Sequence, residues 1–146
     1  MAKYNVSIRW EKNSNNQEQY FWHFENGLEV RASTHGGNTA MVDPESAFIA
    51  SVSSCHMLSL MAIAVKKGYV IKRYEDRAVG ALEKNAEGRI AITRVLLQPY
   101  VEFAGPNIPD ASEIERLHDA AHHNCFIANS IVSKIRIEPQ RVLQAL

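Results

Sequence analysis

The chain has 146 residues, 46% hydrophobic and 22% charged, which fits one soluble domain spanning 1–146 with room for a real core. Sixteen basic residues balance sixteen acidic ones, so no charge excess points to nucleic acid or to an anionic membrane as a partner. The N-terminal Met1-Ala2-Lys3-Tyr4 lacks the apolar core of an export signal, and two thiols in such a chain imply a reducing, cytoplasmic setting where a disulfide is transient.

Tyr4, Val6, Ile8 and Trp10 alternate with their neighbours and predict a strand over 4–10. Residues 13–16 are polar and turn-like. Tyr20, Phe21, Trp22 and Phe24 make 18–25 a second strand by composition. Asn26-Gly27 follows at once and predicts a two-residue hairpin, in which both turn positions need positive φ. Residues 28–32 return as a third strand.

Gly36-Gly37 marks 33–42 as a loop. Asp43 can cap a helix and Pro44 fits its first turn. That helix runs to Lys66-Lys67, which suit the negative end of the dipole, and Gly68 suits the position just beyond. Its segment 47–65 is apolar and long enough to span a bilayer. Ser51, Ser53, Ser54, His56 and Ser59 fit a central helix buried on most sides better, so no membrane is expected.

Residues 71–85 and 89–103 read as two long strands joined by the turn Asn85-Ala86-Glu87-Gly88. Gly105-Pro106 and Pro109 break the pattern. Asp110 or Ser112 then caps a second helix, with Ser112 and Glu115 at capping-box spacing. Ile114, Leu117, Ala121 and Cys125 share one face of it, which aims Cys125 at the core. A closing strand occupies 133–138. The order β-β-β-α-β-β-α-β is an α+β fold with mostly antiparallel sheets around a long central helix.

Cys55 and Cys125 are the only cysteines and lie too far apart in sequence for a CxxC pair. Buried cysteines are most often inert small hydrophobes. Cys55, however, sits in Ser53-Ser54-Cys55-His56, and its neighbours one turn away are Ser51 and Ser59. That small, polar stripe can open a pocket. A reactive thiolate needs a nearby cation or donor. The helix dipole fades within one turn, and His56 points roughly 100° away from Cys55. Arg31 is the best cationic candidate, against the plainer reading of an exposed strand residue. Glu45 either complements the helix dipole or orients an arginine. His118 and His122 lie at i, i+4 with Cys125 a turn further on, a set zinc could use. No carboxylate completes it in sequence, so neither metal nor cofactor is expected.

The run Asp43-Pro44-Glu45-Ser46-Ala47-Phe48-Ile49-Ala50-Ser51-Val52-Ser53-Ser54-Cys55-His56-Met57-Leu58 resembles the first motif of the OsmC/Ohr family of osmotically inducible and organic hydroperoxide resistance proteins. Cys125-Phe126-Ile127-Ala128-Asn129-Ser130 resembles its second cysteine motif. The resemblance implies a thiol peroxidase. Cys55 attacks a peroxide oxygen and becomes a sulfenic acid, and Cys125 condenses with it to a disulfide. A dithiol reductant, such as a lipoyl protein, resets the pair by exchange. Glu45 matches the glutamate that holds the catalytic arginine. One branch carries that arginine in a stretch matching Trp10-Glu11-Lys12-Asn13, which has none; Arg31 matches the other, OsmC-like branch. The resemblance also implies an intertwined homodimer with sites at the interface. Phe48, Met57, Leu58, Phe126 and Ile127 are expected at an apolar pocket rim suited to organic hydroperoxides. The competing readings are a thiol-bearing ligand-binding or redox-sensing module without turnover, and a structural domain with incidental thiols.

Overall fold

A computed structural model describes residues 1–33 and 40–143, so the expected Gly36-Gly37 loop lies outside the described residues. The chain packs as two compact units, Met1–Ala47 and Phe48–Leu146.

The first unit is an antiparallel sheet of β1 (Val6–Lys12), β2 (Glu18–Phe24) and β3 (Glu29–Arg31), in the order β1-β2-β3. Ile8 faces Trp22, and Trp10 faces Tyr20. The strand expected from Tyr4 begins at Val6. The Asn26-Gly27 turn also differs from expectation. Gly27 has φ 86, but Asn26 is not among the residues with positive φ. The Phe24 N–H donates to the Leu28 carbonyl, the Gly27 N–H to the Phe24 carbonyl, and Asn26 Oδ1 accepts from the Leu28 N–H. This is a three-residue loop with one left-handed residue at its end. The asparagine side chain closes it, which removes the need for a second positive φ. Asn85 to Arg89 repeats the geometry, with Gly88 at φ 76.

The helix α1 (Pro44–Lys66) has the expected limits. Asp43 Oδ1 accepts from the Ser46 N–H at 2.8 Å, a capping bond that holds the Asp43 carboxyl below its ordinary pKa. At the far end Gly68, φ 77, lets the Tyr69 N–H return to the Ala64 carbonyl, which satisfies one of the last free carbonyls.

Beyond α1 come β4 (Val70–Asp76), β5 (Val79–Lys84), β6 (Ile90–Leu97) and β7 (Pro99–Ala104). Then follow α2 (Ala111–Asn124), a 3-10 turn at Ala128–Ser130, and β8 (Lys134–Ile137). Strand β4 pairs with β7; β5, β6 and β8 form a second sheet in that order, with β6 and β8 parallel. The two long strands expected over 71–85 and 89–103 are each divided in two, so the order is β-β-β-α-β-β-β-β-α-β. Register nevertheless carries across the break, because Asp76 faces Pro99 and Val79 faces Leu96. The cause is local. The Asp76 carboxylate takes the Gln98 N–H at 2.6 Å and also the Ser53 hydroxyl, and Pro99 has no N–H to offer. One stretch of ladder is thereby traded for side-chain bonds, and the ribbon passes from one sheet to the other. On α2, Asp110 rather than Ser112 is the cap and accepts from the Glu113 N–H at 2.7 Å.

Two apolar clusters bracket α1. Val52 packs with Val95 and Leu97 of β6, against Ile127, Ile135 and Ile137. Leu60 packs with Leu117 and Ala121 of α2, against Ile71, Tyr74, Val101 and Phe103. By length and composition alone α1 could cross a membrane, with mean hydropathy 1.8. In its own unit it is the helix on which both clusters are built.

Candidate active site

Buried residues recur every fourth position along α1: Val52, His56, Leu60 and Ala64. Val52 belongs to one cluster and Leu60 to the other, so His56, and Cys55 beside it, lie where the two clusters meet. From α2 the facing residues are Leu117, His118 and Ala121, with Cys125 as the residue that ends the helix.

Local bonds fix Cys125. Its N–H returns to the His122 carbonyl at 3.3 Å, and its carbonyl accepts from the Asn129 N–H at 3.0 Å as the chain enters the 3-10 turn. Ser130 Oγ donates to the Phe126 carbonyl, and Asn129 Nδ2 to the His123 carbonyl. The motif around Cys125 is thus a C-terminal brace that sets the direction of one thiol.

The two thiols are free and lie close enough to act on each other. Cys125 is buried at 1% exposure, whereas Cys55 is half-buried, so a solute meets Cys55 first. Burial and then the neighbouring Cys55 push the Cys125 pKa up, against the pull of the Ala128 N–H, which donates to Cys125 Sγ at 3.4 Å. Cys125 therefore stays a thiol at neutral pH. One sulfur is accessible; its partner is sheltered, protonated and nearby.

Two residues before Cys55 on α1, the Ser53 hydroxyl is held by Asp76, as above. Next to Cys55, His56 makes a second contact with α2. Its Nε2 lies 2.9 Å from His118 Nδ1, with the rings stacked at 7°. Both rings are buried, at 1% and 3% exposure. His118 was read from sequence as a possible metal partner of His122; instead it faces His56, while His122 is exposed.

Of the residues expected to serve the site, the structure brings Cys55 and Cys125 together. Arg31 ends β3, exposed, in the N-terminal unit, and Glu45 lies in the first turn of α1, ten residues before Cys55. At 1.5 Å per residue Glu45 is about 15 Å from Cys55 along the helix axis. Among the described residues, no cationic side chain acts on Cys125. Of the expected apolar rim, Phe48 and Ile127 pack into the Val52 cluster, Met57 is half-buried, and Leu58 and Phe126 stand exposed.

The model of the OsmC-like protein family matches residues 36–140, a span that includes both cysteines and both helices. The chain belongs to the OsmC-like protein family. An OsmC-like protein of unknown function from Vibrio cholerae is 36% identical, with a TM-score of 0.91, over 96% of this chain and 100% of that one. An OsmC-like protein from Mycoplasma pneumoniae shares the fold at 15% identity and a TM-score of 0.75, over 95% and 96% of the two chains. So does the organic hydroperoxide resistance protein OhrB of Bacillus subtilis, at 19% identity and a TM-score of 0.70, over 95% and 98%. A comparison with curated protein sequences gave no match. The α+β fold expected from the order of elements is the OsmC-like fold, with two helices and mostly antiparallel sheets. Sequence reading missed the His56–His118 bond. The only signal it offered was that His56 falls on the same four-residue stripe as Val52 and Leu60.

Proposed function

We propose that this OsmC-like protein is a thiol-dependent peroxidase that reduces organic hydroperoxides, with Cys55 as the attacking sulfur and Cys125 as the resolving one. The observation that carries the reading is the neighbouring thiol pair, one member reachable and the other buried. In the first step the Cys55 thiolate takes the distal peroxide oxygen, the O–O bond breaks, and the alcohol leaves. Cys125 then attacks the sulfenic sulfur, water leaves, and a disulfide forms. An external dithiol, a lipoyl protein being the chemistry expected, takes up the disulfide by exchange and completes the cycle. Membership of a family that includes an organic hydroperoxide resistance protein supports this reading. The exposed side chains of Leu58 and Phe126 favour bulky apolar substrates by roughly 0.8 kcal/mol per buried CH₂.

The protein acts as a homodimer on this reading. In the single chain, Leu58 and Val65 of α1 remain 61% and 73% exposed, and an open apolar groove runs along Met61, Val65, Tyr69, Val70 and Ile71. A helix apolar on all sides is expected to be covered on all sides. Glu45 and an arginine, Arg31 being the candidate, complete the Cys55 site from the second subunit, since Glu45 cannot reach along its own helix.

The test is peroxide consumption with a dithiol reductant, using organic hydroperoxides and hydrogen peroxide in parallel. Turnover with higher kcat/KM for the organic substrates is expected. Disulfide formation without turnover would leave a redox-sensing module instead, and a monomer by sedimentation would remove the shared site.

A further inference from the structure

The His56–His118 pair is the one buried polar contact between α1 and α2 other than the thiols themselves, among the described residues. It is costly. One imidazole donates and the other accepts, so each ring has one nitrogen left over. His56 Nδ1 and His118 Nε2 are buried and have no hydrogen-bond partner among the described residues. Two apolar side chains of similar volume would leave no such atoms, and replacing buried polar pairs in this way is often neutral or stabilising. A pair that contributes little net stability, yet is specific in direction and length, sets register.

Its position says which register. His56 follows Cys55, so their Cα atoms are about 3.8 Å apart. His118 precedes Cys125 by seven residues, close to two turns and about 10.5 Å, on nearly the same face of α2. The packing of Leu60 on Leu117 and Ala121 is not directional, and the thiol contact alone is a single directed point about which α1 could turn or slide on that packing. The imidazole bond supplies a second point on the same face, and two points fix a crossing. Disulfide formation is demanding in this respect, because the Cα atoms must lie within about 4.4–6.8 Å with a defined dihedral angle.

We infer that His56 and His118 are positioning residues that hold α1 and α2 in the one register that lets Cys55 and Cys125 close a disulfide. The inference rests on the proposed dithiol chemistry, but not on peroxide turnover. Burial keeps both rings neutral, with pKa values pushed down to about 4, so the bond persists throughout the neutral range. The atoms used are Nε2 of His56 and Nδ1 of His118, the positions of a glutamine and an asparagine amide respectively.

The experiment equilibrates the intact protein with glutathione buffers. Two protein thiols and one glutathione disulfide exchange to one protein disulfide and two glutathione thiols. The fraction of the Cys55–Cys125 disulfide is read by mass spectrometry, and unfolding by denaturant is measured alongside. Three proteins are compared: wild type, His56→Leu/His118→Leu, and His56→Gln/His118→Asn. The leucine pair leaves no unpaired polar atom, so it is expected to unfold at a denaturant concentration no lower than wild type. Its disulfide equilibrium constant is expected to fall about tenfold, or about 30 mV. The amide pair is expected to recover most of that loss. A leucine pair that folds and closes the disulfide as readily as wild type overturns the inference. So does an amide pair as defective as the leucine pair. If the leucine pair fails to fold, the amide pair alone decides: wild-type equilibrium supports the brace, and the tenfold loss refutes it. A wild-type protein that forms no Cys55–Cys125 disulfide in any buffer overturns the dithiol reading as well as the brace.

Discussion

Helices α1 and α2 meet through two polar contacts that start from adjacent residues of α1 and end two turns apart on α2. One joins thiols, the other imidazoles. The thiol contact is half open, and burial raises the pKa of its inner member. The imidazole contact is sealed, and burial lowers the pKa of both members. The same desolvation acts in both places, with opposite sign because a thiol is neutral when protonated and an imidazole is neutral when not. Cys125, His56 and His118 are thereby each kept neutral near pH 7. What separates them is access. Only Cys55 can meet a solute, so only the thiol contact can do chemistry, and the imidazole contact is left to hold geometry.

The widest separation between the two contacts is expected from cysteine variants. Cys55→Ser is expected to reduce peroxide consumption to the level of buffer while near-UV circular dichroism stays native, because the nucleophile is gone and the volume is nearly kept. Cys125→Ser is expected to behave differently. The first equivalent of peroxide is consumed, no intramolecular disulfide forms, and peptide mapping finds Cys55 as sulfenic and then sulfinic acid. Steady consumption by Cys55→Ser, or steady dithiol-driven turnover by Cys125→Ser, would contradict the division of roles.

The imidazole contact is expected to appear in the pH dependence of stability rather than in activity. His56 and His118 fall from 6.5 to about 4 on folding, with burial the leading cause for both. His122 adds repulsion at His56, and Asp119 opposes the shift at His118. Between those values the unfolded chain binds more protons than the folded one, so stability rises with pH. The acid penalty is absent above about pH 6.5 and grows as pH falls toward 4, to roughly 3 kcal/mol per ring, so it adds nothing to net stability at neutral pH. Urea titrations from pH 7 to 4 are expected to show this slope in the wild type and a markedly shallower one in His56→Leu/His118→Leu. Equal slopes would mean that the rings do not carry it.

Much of this was legible in the sequence because it is written in short range. The Asp43 cap, the Gly68 stop, the 23-residue helix and the inward aim of Cys125 each depend on neighbours within a turn or two. The misreadings have long-range causes. The Asp76 carboxylate divides the ribbon by capturing a backbone N–H 22 residues away. The two histidines are 62 residues apart, and no periodicity reports which residue a buried ring will face. The Asn26-Gly27 turn is the exception, a local misreading. Its two-letter signal was right about a hairpin and wrong about its type, because the asparagine side chain bonds the backbone directly. At the site, motif and face predicted the thiols. Arg31 and Glu45 rested on resemblance alone, and their part in the site belongs to the proposal of a second subunit.

The smallest expected effect tests whether any polar tether near Cys55 would do the work assigned to the imidazoles. Ser53 lies two residues before Cys55 and donates to Asp76, a part-buried bond to a carboxylate. It joins α1 to the end of β4, not to α2. Removing the hydroxyl by Ser53→Ala leaves Asp76 with the Gln98 N–H at 2.6 Å, so the carboxylate is not stranded. A bond to a charged group contributes about 1.5–3 kcal/mol, and with one partner retained the loss should sit at the lower end of that range. Stability measured by denaturant is therefore expected to fall by about 1–2 kcal/mol. The Cys55–Cys125 equilibrium against glutathione is expected to stay unchanged, because the crossing of α1 on α2 keeps both of its points. Should Ser53→Ala weaken the disulfide as much as loss of the imidazole pair, the register of Cys55 would depend on the general anchoring of α1, and the two histidines would have no special claim on it.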